Sequence, residues 1–354
     1  MSAGAVREED AFDVGRMSAW LREHGDPEVV GALEGEPQVR QFDSGASNLT
    51  YELRWPTRAL VLRRPPHGAL GGSAHNMHRE HDLQAALHPV FPHVPRMVGL
   101  CTDPEVLGSD FYVMDKLEGT IVGRDLPDGV TLTPEQATTL CEAALATLVA
   151  LHEVDVTAVP QLAALDRGDG YVHRQVEGWS SRYRAAATDD VPDFEDVMAW
   201  LAQHEPADRP HALIHNDFRL DNLVLDAADP TQVVGVLDWE LATVGDPLMD
   251  LGGALAYWAQ ADDDATMRSL RLQPTHLPGM LTRAEIVERY CAARGLEVSA
   301  REWTFYEVFG LFRLAGIAQQ IYARYVSGAT TNPRFAAFGP MVTYLDARCR
   351  PLIG

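Results

Sequence analysis

Residues 213–226 read LIHNDFRLDNLVLD, and this stretch decides the fold. Two short apolar runs flank a polar cluster of His, Asn, Asp and Arg side chains. Burying such groups is costly unless each of them finds a partner. The pattern therefore predicts two short strands joined by a polar loop that faces a cleft.

The residues after this loop predict an antiparallel hairpin. Residues 223–226 and 233–237 read as strands, and the Asp-Pro pair between them is typical of a turn. Asn222 precedes the first strand and Asp238 follows the second, so we expect both at the open end of the hairpin. Two oxygen ligands there suit Mg²⁺, which takes few protein ligands and leaves room for phosphate oxygens and water.

The polar loop itself offers the remaining parts of phosphoryl transfer. Asp217 lies five residues before Asn222, within reach of a substrate hydroxyl that it could deprotonate as catalytic base. Arg219 is a cation for the charge of a transferring phosphoryl group. On the residues alone, a simpler alternative stays open, in which Asp217 and Asn222 make only loop and cap hydrogen bonds.

Composition excludes several classes of partner. The chain has 354 residues, of which 46% are hydrophobic, so it can bury one or two cores. Its formal net charge of -22 argues against nucleic acid and anionic membrane, because both draw on clustered basic residues. The acidity is typical of a solvated surface and does not by itself indicate a cationic substrate.

The four cysteines are scattered along the chain with no C-x-x-C pair, so we expect reduced core thiols. The start lacks a basic region followed by an apolar one, and no uncharged apolar run reaches about 18 residues. These features predict a soluble, cytoplasmic protein. Lys116 is the only lysine, and we expect it to be exposed.

The first part of the chain reads as a sheet that carries one helix. An amphipathic helix is expected at 12–24 and a second one near 74–88. The strand-like runs share β-branched and aromatic residues between turn signals. They are Val39–Phe42, Leu49–Leu53, Ala59–Leu62, Met97–Cys101 and Phe111–Met114.

Beyond residue 119 the pattern becomes helical. Thr133 opens a capping box with proline at the first helical position, and Thr282 and Ser299 begin two further helices in the same way. The last of these helices is apolar almost all round and is expected to be buried. We therefore predict an α+β protein with an N-terminal domain at 1–118, which includes the extra helix 12–24, and a second domain at 119–354.

At this point the motifs resemble a known family. His215-Asn216-Asp217, Asn222 and Leu237-Asp238-Trp239 are similar to the catalytic and metal-binding motifs of the aminoglycoside phosphotransferases and choline kinases. The resemblance covers roughly residues 38–260, with an asparagine at 216 where a glycine is commoner. It implies a two-lobed protein-kinase-like fold, with a small antiparallel-sheet N-lobe and a larger, mainly helical C-lobe.

The resemblance also implies a nucleotide clamp in the first lobe. The DSGASN segment, with Gly45, Ser47 and Asn48, is similar to a phosphate-covering loop. In the next strand, Val61 would touch the adenine ring, and Arg63 would hold phosphates where relatives often carry lysine, with Glu80 as its carboxylate partner. Arg64, on the opposite face, is expected at the surface. The strand and hinge that end in Met114, Asp115 and Leu117 would bind the adenine edge.

Two aspartates further along are expected to be structural. Asp246, before Pro247, reads as a helix N-cap, and Asp250 would brace the catalytic loop by hydrogen bonds.

The implied activity is transfer of the γ-phosphoryl group of Mg-ATP, or of GTP, to a hydroxyl of a small molecule. The branch that the chain resembles most is the kinase-like domain fused to some acyl-CoA dehydrogenases, so the acceptor could be a hydroxyacyl-CoA rather than an aminoglycoside or amino alcohol. Residues 155–210 and 261–335 would line the acceptor pocket. The oligomeric state is not indicated.

Three other readings compete. A kinase fold that binds a nucleotide or a partner without transferring anything stays possible, although it would be expected to lack Asp217, Asn222 or Asp238. The histidines near 67–93 include three at helical spacing, but no recognisable zinc set completes them. A serine hydrolase is disfavoured because the chain lacks G-x-S-x-G.

Overall fold

The computed structural model describes residues 3–42, 48–66 and 76–354. Its strands are β1 (Ala3–Gly4), β2 (Gln38–Phe42), β3 (Leu49–Arg54), β4 (Ala59–Arg64), β5 (Met97–Cys101), β6 (Phe111–Asp115), β7 (Thr120–Ile121), β8 (Ala212–Ile214), β9 (Leu223–Leu225), β10 (Val233–Val236) and β11 (Thr243–Gly245). Its helices are α1 (Val14–His24), α2 (Pro27–Val30), α3 (Met77–Leu87), α4 (Pro104–Leu107), α5 (Pro134–His152), α6 (Pro160–Ala163), α7 (Tyr171–Ala185), α8 (Glu195–Gln203), α9 (Pro247–Ala256), α10 (Ala265–Leu270), α11 (Arg283–Arg294), α12 (Ala300–Val326) and α13 (Phe338–Ile353). Among the described helices, none combines the length and apolar character that a membrane crossing requires.

The chain forms two compact units. The first contains the described residues up to 122 together with 159–162 and 222–241, and the second contains 123–158, 163–221 and 242–354. Residues 222–241, which we expected in the second domain, thus group with the first unit.

The first unit is built on a six-stranded antiparallel sheet in the order β1-β2-β3-β4-β6-β5. Its core packs apolar side chains of β3, β4 and β6 against α1, among them Leu21, Leu53, Leu62 and Phe111, all of them buried. The predicted strands and helices are present within a few residues. Helix α1 starts at Val14 because the Asp13 side chain accepts a hydrogen bond from the Arg16 N–H.

The hairpin β9–β10 belongs to this unit because several contacts attach it there. Strand β9 pairs with β7 as well as with β10. The Val236 N–H donates to the His93 carbonyl at 2.7 Å, and Trp239 packs edge-on against Phe91. The hairpin is therefore attached to the first unit through β9, through β10 and through Trp239, which follows it.

The second unit is mainly helical. The predicted capping boxes are present at Thr133 and Thr282, and Ser299 caps α12. Helix α12 is buried along the stripe that includes Phe305, Phe309 and Phe312, as its composition predicts. Strands β8 and β11 pair antiparallel in a separate two-stranded sheet.

Two expectations about single basic residues are wrong. Arg64 is only 2% exposed, because its guanidinium donates to the Asp10 carbonyl at 2.7 Å and to the Tyr51 hydroxyl at 3.1 Å. Asp10 and Phe12, in the segment before α1, cover Arg64 on the sheet face that we expected to be solvated. The Lys116 side chain is only 19% exposed and lies 3.7 Å from Glu52 and 3.1 Å from Glu118.

The cysteines are free thiols, as expected. Cys101, Cys141 and Cys349 are buried, whereas Cys291 is half-buried.

Helices α9 and α12 touch through their backbones at a pair of glycines. A Cβ atom added at Gly310 would lie 2.2 Å from the Gly252 carbonyl oxygen, and one added at Gly252 would lie 2.5 Å from the Tyr306 carbonyl oxygen. Both distances are far below van der Waals contact, so only glycine permits this approach.

We expect Gly310→Ala to lower the free energy of unfolding by about 1–3 kcal/mol, because the backbone contact must open and this outweighs the better helix propensity of alanine. Chemical denaturation measures the change. Gly123→Ala is the matched control, because a Cβ there meets nothing within 4 Å, and it should change the stability by less than about 0.5 kcal/mol. Equal stabilities of the two variants would contradict the proposed contact.

Candidate active site

The loop that holds Asp217 follows strand β8 in the second unit. Strand β8 pairs with β11 so that Ile214 faces Thr243, and all three residues of β8 are buried. The loop therefore leaves a rigid two-stranded sheet, and His215, which is fully buried, is its first residue.

Asp250 holds the beginning of this loop. Its two carboxylate oxygens accept hydrogen bonds from the backbone N–H groups of His215, at 2.8 Å, and Asn216, at 2.7 Å. Burial alone would raise the pKa of Asp250, but the hydrogen bond from His152 and the contacts with His215 lower it below its usual value. The predicted brace is therefore present, and it acts as a buried carboxylate anion.

A second layer of hydrogen bonds supports Asp250. His152, at the end of α5, donates from Nε2 to Asp250 at 3.1 Å, and its Nδ1 lies 2.6 Å from the Tyr290 hydroxyl of α11. Both His152 and Asp250 side chains are almost completely buried. This series of hydrogen bonds thus connects α11 and α5, through Asp250, to the backbone of the two residues before Asp217.

Asn216 adopts a left-handed backbone conformation, with φ of 63°. Asparagine tolerates this region better than most residues, and glycine adopts it without cost. This explains why a glycine is commoner at the position in the family that the sequence resembles. The Asn216 carbonyl accepts a hydrogen bond from Arg313 Nη2 at 2.7 Å, so the loop is also held from α12.

Asp217 and Arg219 contact each other. Arg219 Nη2 lies 3.4 Å from Asp217 Oδ2, and Arg219 Nε lies 3.1 Å from Asp221 Oδ1. The guanidinium also stacks on the ring of Tyr257, with its carbon 4.7 Å from the ring centroid. Arg219 therefore lies between two carboxylates, while the Asp217 side chain keeps 19% of its surface exposed.

The first unit contains the two predicted metal ligands. The hairpin register pairs Val236 with Leu223, and the Leu237 N–H donates to the Asn222 carbonyl at 2.8 Å. Asn222 and Asp238 therefore lie at the same end of the hairpin, as the sequence predicts. Asp238 has a φ of 67°, a strained value that is common at functional sites.

Arg63 connects this end of the hairpin to helix α3. Its Nη1 is paired with Glu80 Oε1, and its Nη2 lies 3.5 Å from Asp238 Oδ1. Burial lowers the pKa of Arg63, but the surrounding Tyr112, Glu80 and Asp238 groups more than offset this and raise it. The pairing of Arg63 with Glu80 is thus present, and the planar guanidinium reaches two carboxylates at once.

Val61 and Met114 lie opposite each other on β4 and β6 and form an apolar cluster with Met77 and Tyr112. The Asp115 N–H donates to the Arg96 carbonyl at 2.9 Å. The adenine contact expected from Met114, Asp115 and Leu117 stays a prediction.

The Leu117 side chain lies close to Gly235, where a Cβ atom would come within 2.1 Å of its Cδ1. Gly45 and Ser47 lie outside the described residues, and Asn48 is buried.

The oxygen donors at the hairpin end fit a hard cation. Asn222 offers an amide oxygen and Asp238 a carboxylate, and Mg²⁺ takes such ligands together with water and phosphate. Within the described ranges, no group of three or more His, Cys, Asp or Glu side chains could hold a metal ion.

Sequence reasoning missed the residues that hold the loop from behind. Tyr290 and Arg313 lie 73 and 96 residues after Asp217, and no local pattern connects them to the loop. His152 could have been found, because it is the polar residue at the end of an otherwise apolar helix face.

These features define a class of protein. The antiparallel sheet with a mainly helical remainder matches a putative aminoglycoside phosphotransferase from Ralstonia eutropha at a TM-score of 0.78, with 30% identity and coverage of 97% of this chain and 96% of that one. A macrolide 2'-phosphotransferase type I matches at a TM-score of 0.59 with 20% identity, covering 97% and 99%, and shows the fold alone. The protein has the kinase-like fold of the aminoglycoside phosphotransferases, as predicted.

Residues 38–303 match the Phosphotransferase enzyme family, and the chain belongs to this family. Acyl-CoA dehydrogenase family member 11 of Homo sapiens is 34% identical over 354 residues, which cover 97% of this chain and 44% of the relative. The protein of the same name from Gallus gallus is 36% identical over 352 residues, covering 95% and 43%. The chain thus spans less than half the length of these relatives, and the predicted resemblance to kinase-like domains of acyl-CoA dehydrogenases is confirmed.

The conformation of Asn216 gives a test of the loop geometry. We expect the free energy of unfolding of Asn216→Ala to be about 1–2 kcal/mol lower than that of Asn216→Gly. Both variants lose the side-chain amide, but only alanine is sterically strained in a left-handed backbone conformation. Thermal or chemical denaturation of the pair measures the difference. If alanine were as stable as glycine, the loop would not have the left-handed turn.

Proposed function

We propose that the protein transfers the γ-phosphoryl group of Mg-ATP to a hydroxyl group of a small molecule, with Asp217 as catalytic base. The observation that carries this proposal is the fixed loop. Asp250 binds the backbone of the two residues before Asp217, while the Asp217 carboxylate stays partly exposed. A carboxylate held in this way can orient a hydroxyl and accept its proton as the phosphoryl group departs from ATP.

The contacts of Arg219 favour a modified role for this residue. Since it lies between Asp217 and Asp221, its guanidinium orients the Asp217 carboxylate. In this proposal Arg219 acts on the phosphoryl group only after its contact with Asp217 loosens on substrate binding.

We assign the nucleotide and its metal ion to residues of the first unit. Asn222 and Asp238 would hold Mg²⁺, which when bound neutralises developing charge on the phosphate oxygens. Arg63 would contact phosphate while Glu80 fixes its orientation, and the apolar surface of Val61 and Met114 would receive the adenine ring.

The acceptor that we favour is a hydroxyacyl-CoA. The relatives of known name are acyl-CoA dehydrogenase family members that match nearly the whole chain, and a kinase attached to such an enzyme would act on a related thioester. Aminoglycosides and amino alcohols are the alternatives. A release assay for ADP with Mg-ATP and each acceptor class distinguishes them, and absence of release with every acceptor despite tight ATP binding would favour a silent fold.

We expect Asp217→Asn to lower kcat by about 10² to 10⁴ and to leave nucleotide binding largely intact, because the amide cannot accept the proton. Steady-state ADP release and calorimetric titration with ATP provide the two measurements. Asp221→Asn is the matched control, because it removes the other carboxylate beside Arg219 and should retain most of kcat. Full activity of Asp217→Asn would assign the base elsewhere.

For Asp238→Ala we expect loss of the gain in ATP affinity that Mg²⁺ provides, by about tenfold or more, because one of two protein ligands is removed. Calorimetry with and without Mg²⁺ measures this gain. Asp226→Ala is the control, since Asp226 caps the turn at the far end of the same hairpin. An unchanged dependence on Mg²⁺ in Asp238→Ala refutes the assignment.

A further inference from the structure

Two arginines and a tryptophan form a cluster beside the catalytic loop, within the second unit. The guanidinium carbon of Arg182 lies 4.2 Å from the ring centroid of Trp179, and that of Arg313 lies 5.5 Å from the same centroid. Arg313 also binds the Asn216 carbonyl, one residue before Asp217. We call Trp179, Arg182 and Arg313 the arginine–tryptophan cluster.

Within the part of the chain that the structure describes, neither arginine of this cluster has a carboxylate partner. No carboxylate oxygen of the described residues lies within 4.0 Å of either guanidinium, although the chain carries 51 acidic residues and only 29 basic ones. Arg313 is only 8% exposed, and the hydrogen bond that it makes to Asn216 leads to a neutral carbonyl. A buried charge without a counter-charge is unfavourable.

The surroundings add to this imbalance. Partial burial of its guanidinium and the charge of Arg313 lower the pKa of Arg182, although the residue as a whole is exposed, so the two cations repel each other. Stacking on Trp179 offsets only part of the cost, because a cation–π contact is weaker than the loss of a buried counter-ion. The guanidinium packs closely against Gly253, since a Cβ there would lie only 3.3 Å from Arg313 Nη1.

We propose that the arginine–tryptophan cluster binds an anionic group of the acceptor alcohol, a carboxylate or a phosphate. The bound oxyanion lies between Arg182 and Arg313, so the site selects acceptors that carry a negative charge. Trp179 holds the Arg182 side chain in position by stacking against it. This inference rests on the proposed function. The proposed basic site is the opposite of the acidic pocket that a cationic amino sugar or choline would need.

The test compares four acceptors in the ADP-release assay with Mg-ATP: β-hydroxybutyrate, its uncharged amide, its CoA thioester and choline. We expect Arg182→Gln to lower kcat/KM at least about tenfold for β-hydroxybutyrate or for the thioester, because one charge of the anion site is removed. The value for the amide and the KM for ATP should not change. A loss confined to the thioester identifies phosphate as the anion, and a loss with β-hydroxybutyrate identifies carboxylate.

Two further variants separate charge from packing. Arg182→Lys keeps the charge and should keep most of the preference for the anion. Arg184→Gln is the control variant, because Arg184 lies on the same helix but is exposed and paired with Glu195 at 2.7 Å. Its kcat/KM values should equal those of the wild type. Arg182 is itself exposed, so Arg182→Gln should melt at the wild-type temperature.

Several results would overturn the proposal. Arg182→Gln could lower kcat/KM equally for the amide and the anionic acceptors, could change the KM for ATP instead, or could have no effect. A higher kcat/KM of the wild type for choline than for the anionic acceptors would also overturn it. If no acceptor is turned over, calorimetric titration with β-hydroxybutyrate and with the thioester decides. Binding that Arg182→Gln weakens supports the anion site while the proposed function fails, and absence of binding to the wild type overturns the site.

Discussion

The candidate site depends on one buried carboxylate. Asp250 binds two consecutive backbone N–H groups of the loop, and a third donor, His152, completes its coordination. An ionised carboxylate in the interior is stable only when its oxygens are satisfied in this way. The loop therefore cannot change its conformation without exposing the charge of Asp250 to an apolar interior, which makes its geometry rigid where the chemistry requires it.

In the first unit, an arginine holds the end of the hairpin in a similar way. Where relatives often carry lysine, Arg63 spans from Glu80 to Asp238. A lysine ammonium is compact and does not donate hydrogen bonds in two fixed directions, whereas the planar guanidinium of arginine does. The Arg63 guanidinium thus connects the hairpin end to helix α3, and the Asp238 carboxylate has a partner of opposite charge.

Local patterns were enough to predict most of the fold, because capping residues, strand periodicity and the Asp-Pro turn act over a few residues. The same holds for the hairpin end, since the positions of Asn222 and Asp238 follow from counting along two strands. Burial of Arg64 was not predictable, because the element that covers it comes from the chain before β2. The setting of Arg313 depends on a helix about a hundred residues beyond the loop, and the role of Asp217 remains a prediction.

The glycine contact between α9 and α12 has a geometric consequence for the loop. Gly310 and Arg313 are separated by three residues of one helix, or about 4.5 Å along its axis. The contact between Gly310 and Gly252 therefore fixes the position of the Arg313 guanidinium relative to the Asn216 carbonyl. Inserting or deleting a single residue between them would rotate this side chain by about 100°, so this short interval tolerates changes of side chain far better than changes of length.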